Sequence, residues 1–229
     1  MQPRKNPRLL RRSSIIFEII EVPTIRTYSH EYKYIEDVES RLPRNHGFAD
    51  AAPITWVHEC THGINSRLRN QYARDRGKVN CFYLLDGKAL ILEEPKFGLM
   101  EISGIIPKEL RGNIYQLYVV SQARSWNDRP LYLFDEWVSY QNGSILRVAE
   151  NLSERADSVT SMLEMAAYCA YIALKDMGNF AVLGTYEYLL QRTKDIYEKS
   201  PGREVADNYL QAIKDSEVSG LFSKCGWLL

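Results

Sequence analysis

The spacing of apolar and polar residues divides the chain into an N-terminal part with strand patterns and a C-terminal part with helix patterns. Residues 14–35 are rich in Ile, Val, Thr and Tyr, a composition that predicts extended structure. Two apolar runs within residues 79–94 flank the pair Asp86 and Gly87, which is typical of a hairpin turn. Loops are predicted where Pro, Asn and Gly cluster, in residues 41–50 and 95–107.

Apolar positions with a helical period predict one long helix in the N-terminal part, from Pro53 to Arg74, which Gly77 ends. From Pro107 onward the helical period continues towards the C-terminus. The helices expected there cover residues 107–125, 130–148, 152–176, 179–199 and 202–216. The pattern therefore predicts an α+β fold with an all-helical C-terminal part.

The same pattern predicts three segments within one domain. Residues 1–13 are expected to form a basic flexible arm, residues 14–100 an α+β lobe that contains the long helix, and residues 101–229 a helical lobe. A functional site is expected in a cleft between the two lobes, because ligand sites favour such junctions.

Composition and charge narrow the class of protein. The 29 Lys and Arg residues balance 29 Asp and Glu residues, and 45% of the chain is hydrophobic, as in ordinary globular proteins. This neutral total argues against a protein built mainly to bind nucleic acid or a membrane surface. The arm carries five basic residues and no acid within residues 1–12, so it could contact an acidic partner or phosphates. A solvated, mobile terminus is the preferred interpretation.

The sequence predicts neither Sec-type export nor membrane insertion. Glu18 and Glu21 interrupt the apolar run after the arm. The longest other apolar run, residues 165–174, is too short for a bilayer core of about 30 Å. The four cysteines are scattered without a CxxC pair, as buried reduced thiols usually are. These features together predict a cytoplasmic protein.

The most informative stretch reads HECTH and begins at His58. Residues four apart return to nearly the same face of an α-helix, so His58 and His62 can both direct a ring nitrogen at one metal ion. Glu59 lies about 100° around the helix from His58, beside that ion rather than on it. From there a carboxylate can take a proton from a water molecule that the metal makes acidic, as hydrolysis of a carbonyl compound requires. The alternative is a helix on which both histidines only pack.

HECTH with its apolar lead-in, residues 54–57, resembles the zinc-binding helix of the zincin metallopeptidases over about a dozen residues. The resemblance implies a zincin-like fold, one Zn²⁺ per chain held by the two histidines, and Glu59 as general base. Asn65 and Leu68 stand where the metzincin branch has a further Gly and His, which excludes that branch. The gluzincin branch, in which a glutamate on a downstream helix is the third ligand, is the one implied.

Glu136 is the expected third ligand, because it lies within an apolar helical segment, residues 131–143. A carboxylate in such surroundings is costly to bury unless it is paired or bound to a metal. Asp135 and Glu150 remain alternatives for this role.

The pattern Asp135-Glu136-x-x-Ser139 is similar to the Asn-Glu-x-x-Ser pattern of thermolysin-like gluzincins. It differs at Asp135, and also at Tyr140, which stands where an aspartate usually follows. The residue that would orient a zinc-binding histidine is therefore unassigned.

Peptide hydrolysis also requires a donor for the negative charge that develops on the carbonyl oxygen. Tyr140, one helical turn after Glu136, is the predicted donor, and Tyr132, one turn before, is the alternative. Arg124 and Arg129 could serve the same purpose or bind a substrate carboxylate.

Two further residues near the motif are expected to be structural. Cys60 lies about 200° around the helix from His58 and points away from the metal, so a buried packing role is predicted. His46 could enter the cleft from its loop, but a loop histidine without a role is the preferred interpretation.

The sequence predicts a zinc-dependent metallohydrolase, and specifically a peptidase with a protein or peptide substrate. Zincins commonly bind an extended peptide along a sheet edge, a place that strands within residues 14–35 could fill, with the hairpin at residues 79–94 as a cover. Two alternatives remain open: a non-catalytic zincin-like protein that binds partners through its tyrosine-rich helical lobe, and a hydrolase of a non-peptide amide. A closed metal coordination sphere or a salt-bridged Glu59 would favour the binding protein.

Overall fold

The computed structural model describes residues 8–12, 15–46, 48, 52–153 and 157–227. The strands of this part are β1 (Arg8–Arg12), β2 (Ile15–Glu21), β3 (Val79–Tyr83) and β4 (Lys88–Glu93). Its α-helices are α1 (Lys33–Glu39), α2 (Pro53–Arg76), α3 (Leu99–Ile105), α4 (Tyr132–Ala149), α5 (Ser158–Lys175), α6 (Phe180–Lys199), α7 (Asp207–Lys214) and α8 (Ser219–Lys224). Two 3-10 helices, Lys108–Leu110 and Arg203–Ala206, and a π-helix, Tyr115–Ser121, complete the described elements. The predicted α+β class is confirmed.

The four described strands form one antiparallel sheet in the order β1-β2-β4-β3. β3 and β4 are the predicted hairpin, and its turn contains Leu85, Asp86 and Gly87, with φ angles of 71°, 49° and 71°. Gly87 adopts this left-handed conformation without steric cost, and Asp tolerates it better than most residues do. The turn residues that predicted the hairpin are therefore the ones that form it.

The sheet is covered on both faces, which explains the continuous apolar runs of the hairpin. Phe82 and Leu90 face the core that the sheet shares with α4, α5 and α6. Cys81 and Ile91 face the second core, which is shared with α1 and α2. Because successive side chains of a strand point to opposite faces, a strand covered on both sides loses its polar alternation.

α2 carries the HECTH motif and extends for 24 residues. Pro53 occupies its first turn, where a missing N–H leaves no hydrogen bond unmade, and Gly77 follows its end with a φ of 78°. Val57 and Ile64 are fully buried against the sheet. The predicted helix over residues 53–74 is confirmed and extends two residues further.

α4 lies between α2 on one side and α5 and α6 on the other, and it is buried along most of its length. A Cβ at Gly143 would lie 2.9 Å from the carbonyl oxygen of Ile54, so this glycine permits α4 to approach the first turn of α2. On the opposite side Trp137 donates a hydrogen bond from Nε1 to Thr193 Oγ1 at 3.0 Å. This packing fixes the side chains that face each other across α2 and α4.

Two predictions for the N-terminal region are wrong in part. The extended structure expected over residues 14–35 is a strand only at β2, and residues 22–32 are neither strand nor helix. Residues 8–12 of the supposed flexible arm are strand β1, because their backbone pairs with β2. The rest of the arm, residues 1–7 and 13, lies outside the described residues.

The region after the hairpin also departs from expectation. The loop predicted for residues 95–107 contains α3, and the helix predicted for residues 107–125 is a 3-10 turn followed by the π-helix. A Cβ at Gly112 would lie 2.2 Å from the carboxyl carbon of Glu164. This carboxylate accepts hydrogen bonds from the backbone N–H groups of the two residues after Gly112, at 3.0 Å each, so it sets where the π-helix begins.

The remaining predicted helices agree more closely with the structure. Those expected at residues 130–148 and 179–199 correspond to α4 and α6, whereas the one expected at 152–176 begins at Ser158, as α5. The helix expected at residues 202–216 is a 3-10 turn that continues into α7. In the described part of the chain, every helix is too short or too polar to cross a bilayer.

Candidate metal site

Three side chains that could act as metal ligands meet where α2 faces the first turn of α4. His58 Nε2 and His62 Nε2 are 3.2 Å apart. Glu136 Oε2 lies 3.5 Å from His58 Nε2 and 3.3 Å from His62 Nε2. The helical spacing of the two histidines and the close approach of α4 therefore create a triangle of ligand atoms.

The dimensions of this triangle fit a small tetrahedral ion. Bonds of about 2.0–2.1 Å in a tetrahedral site separate the ligand atoms by about 3.3–3.4 Å, close to the three observed separations. Glu136 Oε2 is buried and has no hydrogen-bond partner among the described residues. A buried carboxylate oxygen without a partner is costly, and a cation at the centre of the triangle would satisfy it. The buried group His58, His62 and Glu136 could thus hold a metal ion.

The charges of the triangle are strongly coupled. Burial alone would raise the pKa of Glu136, but the neighbouring His62 and His58 lower it to about 2. Burial alone would lower the pKa of His62, yet Asp135 and Glu136 raise it well above its usual value. Both pKa shifts have the same cause, which is the attraction between the carboxylates and a positive charge on His62. A divalent cation at this point would provide the same positive charge.

Asp135 lies behind His62 rather than at the ligand triangle. Its Oδ1 accepts hydrogen bonds from His62 Nδ1 at 2.8 Å and from Asn65 Nδ2 at 2.7 Å. Arg69 Nη1 is 3.4 Å from the other carboxylate oxygen. With a proton held on Nδ1, the Nε2 lone pair of His62 is free to face the triangle. Asp135 therefore supplies the orienting contact that the sequence pattern left unassigned.

The other alternative for the third ligand does not reach the site. Glu150 follows the last residue of α4, 14 residues after Glu136, which corresponds to about 21 Å along the helix axis. The structure thus brings Glu136 to the two histidines, uses Asp135 to orient one of them, and leaves Glu150 at the far end of the helix.

Glu59 is half-buried beside the ligand triangle. Within the described part of the chain its carboxylate has neither an ion pair nor a hydrogen bond, and its charge contributes to the raised pKa of Tyr118. Cys60 is fully buried in the core between α2 and the sheet, as predicted, and burial raises the pKa of its thiol to about 12. Such a thiol stays protonated, which agrees with a packing role.

Two tyrosines form the wall next to His58. The Tyr140 ring meets the His58 ring edge-on, with centroids 4.5 Å apart, and its hydroxyl is 3.2 Å from the Tyr118 hydroxyl. Tyr140 is nearly buried, whereas Tyr118 is half-exposed. Sequence reasoning missed Tyr118, because it lies on the π-helix and its proximity depends on the Glu164 contact that starts that helix.

Tyr132 lies on the other side of Glu136 and stacks on Trp126, with parallel rings 4.8 Å apart. Arg124 is exposed, and Arg129 lies near the half-buried Glu94. Neither arginine lines the cleft that opens beside His62 and Glu136. The structure therefore does not bring these two predicted alternatives to the ligand triangle.

A cleft of about 690 Å³ opens from the triangle along the C-terminal half of α2. His62 and Glu136 lie at one end, Arg74 lies towards the other, and Trp126 and Tyr132 form the opposite wall. This cleft lies between the N-terminal part of the chain and the start of the helical part, where the sequence predicted a site.

The expected sheet-edge site is not formed. β2 is an interior strand, paired on both sides by β1 and β4. β3 is an edge strand, but at Tyr83 its N–H donates to Asn65 Oδ1 and its carbonyl accepts from Asn142 Nδ2. Side chains of α2 and α4 thus occupy the backbone groups of Tyr83 at this edge.

No protein-family model, curated protein or solved structure matches this chain. The features that bear on chemistry are the ligand triangle, the oriented His62, and the carboxylate of Glu59 next to His58, which has no ion pair within the described residues.

Proposed function

We propose that this protein is a zinc-dependent metallohydrolase of the gluzincin type, with a zincin-like fold, that cleaves peptide bonds. The observation that supports this most strongly is the triangle of His58, His62 and Glu136 beside a half-exposed Glu59. A purely structural polar cluster would not require three ligand atoms directed at one point, with a buried carboxylate oxygen that accepts no hydrogen bond from a described residue.

Zinc is the metal we expect, because two imidazole nitrogens and one carboxylate oxygen form a common open zinc site. Calcium and magnesium prefer six or more oxygen ligands, which the triangle does not offer. When bound, zinc would polarise a carbonyl group and make water acidic near neutral pH. Asp135, through His62, would keep the imidazole in the tautomer that such an ion requires.

Glu59 would accept the proton of the attacking water and then deliver it to the leaving amine. This role requires a carboxylate within reach of the water and not held by a cation. Its half-exposed position on the helical turn that carries His58, without an ion pair to any described residue, supports this role.

The tyrosine pair Tyr118 and Tyr140 would supply the hydrogen bond to the carbonyl oxygen as negative charge develops on it. Tyr140 was the predicted donor, and its hydroxyl contact with Tyr118 makes the two a pair. Burial and the nearby Glu136 raise the pKa of Tyr118, so its hydroxyl remains a donor at neutral pH. Because Tyr118 is the more exposed of the two, we assign the direct contact to it.

The proposal is tested first by the zinc content of the purified protein. We expect about one zinc per chain, lost in His58→Ala and much weakened in Glu136→Ala, because each removes one of the three ligands. The matched controls are His30→Ala and Glu150→Ala, which change the same residue types away from the triangle. A wild-type protein that cannot be loaded with zinc would refute the metal site.

The second test is peptide hydrolysis with Glu59→Gln as the control without a general base. We expect cleavage by the zinc-loaded wild type, a loss of about 10²–10⁴-fold in Glu59→Gln, and unchanged zinc content. Bound zinc without cleavage, and without any effect of Glu59→Gln, would support the non-catalytic binding protein instead. Cleavage restricted to small amides would support the non-peptide hydrolase.

The cytoplasmic location and the acidic partner of the basic arm stay predictions. The three cysteines in the core and Cys225 are all free thiols, which is consistent with a reducing, cytoplasmic location. An acidic partner for the basic arm stays a prediction, and two of the five basic residues of the arm, Arg4 and Lys5, lie outside the described part of the chain.

A further inference from the structure

The cleft beside the ligand triangle has an unusual balance of charge. Its acidic lining residues are Asp135 and Glu136. Asp135 already contacts Arg69, and Glu136 already contacts His62 within the ligand triangle. Arg69 is held by Asp135 and by Asn80. The two remaining arginines of the lining, Arg67 and Arg74, have no acidic partner in the described part of the chain.

Arg67 is the central residue of this set. Its Nε and Nη2 atoms are buried and donate no hydrogen bond to any described residue. Burial lowers the pKa of its guanidinium, yet an arginine remains charged at any physiological pH. A charged fork with two buried donors and no acceptor is costly by itself, and an oxyanion that accepts both bonds removes that cost.

His46 contributes a second unsatisfied group to the same wall. Its ring lies against Gly63, where a Cβ would be only 2.6 Å from the ring carbon Cδ2, so no side chain fits between them. His46 Nε2 is buried and has no hydrogen-bond partner among the described residues. Arg67 follows Gly63 by one helical turn, about 6 Å along the axis, which puts both groups on one stretch of the cleft.

Arg74 adds an exposed cation two turns beyond Arg67 and also lines the cleft. Positive charge without an acidic partner among the described residues therefore extends along the C-terminal half of α2, in a recess where it is screened less than on an open surface.

We propose that Arg67, with His46 and Arg74, forms a carboxylate-recognition subsite for the substrate peptide. Arg67 follows His62 by five residues, about 7.5 Å along α2, which corresponds to about two residues of extended peptide. The subsite therefore selects a carboxylate within about two residues of the cleaved bond. An acidic side chain and a free C-terminus carry the same group, and the experiment below separates them. This inference rests on the proposed function for the peptide nature of the ligand.

The test is retention of peptides on immobilised, zinc-loaded Glu59→Gln protein, measured by mass spectrometry. Three pools of acetylated heptapeptides are compared: one with a Glu scanned through every position and an amidated C-terminus, one with Gln in its place, and one with Gln and a free C-terminal carboxylate. We expect at least about tenfold greater retention of a carboxylate pool than of the Gln amide pool, as for a charge-assisted bidentate bond.

Arg67→Met should abolish this preference, and Arg67→Lys should reduce it several-fold, because lysine keeps the charge but not the fork. Arg124→Met, which removes an equal charge from an exposed position outside the cleft, should leave it unchanged. Melting curves identify any variant that does not fold, and Arg67→Lys decides the question if Arg67→Met is unfolded.

Preference for the Glu pool identifies a side-chain subsite, and preference for the free-acid pool identifies a C-terminal one. Equal retention of all three pools, or a preference that persists in Arg67→Met, overturns the subsite. If the metal alone captured the carboxylate, the preference would persist in Arg67→Met. Retention is read without turnover, so the subsite can fail while hydrolysis succeeds, and the reverse.

Discussion

α4 separates two polar clusters that differ in whether the protein itself supplies a cation. Towards α2 lies the ligand triangle, where the ligand atoms of His58, His62 and Glu136 converge and one oxygen has no hydrogen-bond partner among the described residues. Towards α6 lies the arginine cluster, in which Arg192 donates to Gln141 Oε1 at 2.5 Å, to Asn142 Oδ1 at 2.7 Å and to the Leu84 carbonyl at 3.0 Å. One cluster leaves a place for a cation, and the other already contains its cation.

The difference separates a candidate metal site from a structural contact. Three neutral oxygens, two from α4 and one from the hairpin, accept hydrogen bonds from Arg192, so this cation already has partners within the protein. Burial lowers the pKa of Arg192 to about 10, so it still carries its charge at neutral pH. The ligand triangle, in contrast, brings together groups that repel or leave bonds unmade unless a proton or a metal joins them.

The largest effect should follow from breaking the triangle at His62. Structural zinc sites bind with about 10–16 kcal/mol, so removing one of three ligands should cost about 4 kcal/mol of metal affinity, or about 10³-fold. Competition with a zinc chelator would measure this change for His62→Ala. An affinity within tenfold of the wild type would contradict the assignment of His62 as a ligand.

A smaller effect, of a different kind, is expected from Arg192→Met. This change leaves Gln141 Oε1 and Asn142 Oδ1 buried without their donor, which should reduce the free energy of unfolding by about 3 kcal/mol. Urea unfolding measures the loss, and Arg124→Met, at an exposed position, is the matched control.

The zinc affinity of Arg192→Met tests whether the two clusters are independent. We expect it to be unchanged. If zinc binding weakened as strongly as stability, the two clusters would not be independent, and the distinction between a binding site and a structural contact would be wrong.

The orienting contact of the triangle should produce an intermediate effect. Asp135→Asn preserves the shape of the side chain but removes the charge that holds the proton on His62 Nδ1. Zinc affinity should fall about 10–100-fold, as is usual when such a partner is changed. Chelator competition measures it against Asp128→Asn, an exposed carboxylate paired with Lys78. No change in affinity would mean that His62 is oriented by other contacts.

The ligand triangle was predictable from sequence because its spacing is a property of one helix. His58 and His62 are four residues apart, and Glu136 belongs to a single apolar helix. The arginine cluster was not predictable, since Arg192 lies 50 and 51 residues from its amide partners and 108 from Leu84. Contacts of that kind depend on tertiary packing and leave no local pattern.

The fold shows the same division. Local turn chemistry predicted the hairpin at Asp86 and Gly87, and helical periodicity predicted α2, α4 and α6. The π-helix was missed because Glu164, about 50 residues later, accepts hydrogen bonds from the residues that begin it. Tyr118 on that helix was therefore missed as well, although its hydroxyl contacts that of Tyr140, whose ring packs against His58.

Glu94 extends the comparison to a carboxylate without imidazole neighbours. Its Oε2 accepts from the Leu131 N–H at 3.0 Å, while its Oε1 is buried and, like Glu136 Oε2, has no partner among the described residues. Here a proton rather than a metal should satisfy the free oxygen. Burial raises the pKa of Glu94 from its usual 4.5 to about 7, despite the nearby Arg129 and Arg69.

The smallest predicted effect follows from this shift. Between about pH 4.5 and pH 7 the folded protein binds more protons at Glu94 than the unfolded chain does, so the free energy of unfolding should fall as the pH rises through that window. The loss should be about 1–2 kcal/mol once solvent screening is included, and Glu94→Gln should remove it. Urea unfolding of metal-free protein at pH 5 and pH 7.5 measures the difference, with Glu93→Gln as the exposed control. Equal slopes in the wild type and Glu94→Gln would mean that Glu94 is satisfied in some other way, and a free carboxylate oxygen would then no longer identify a site that awaits a cation.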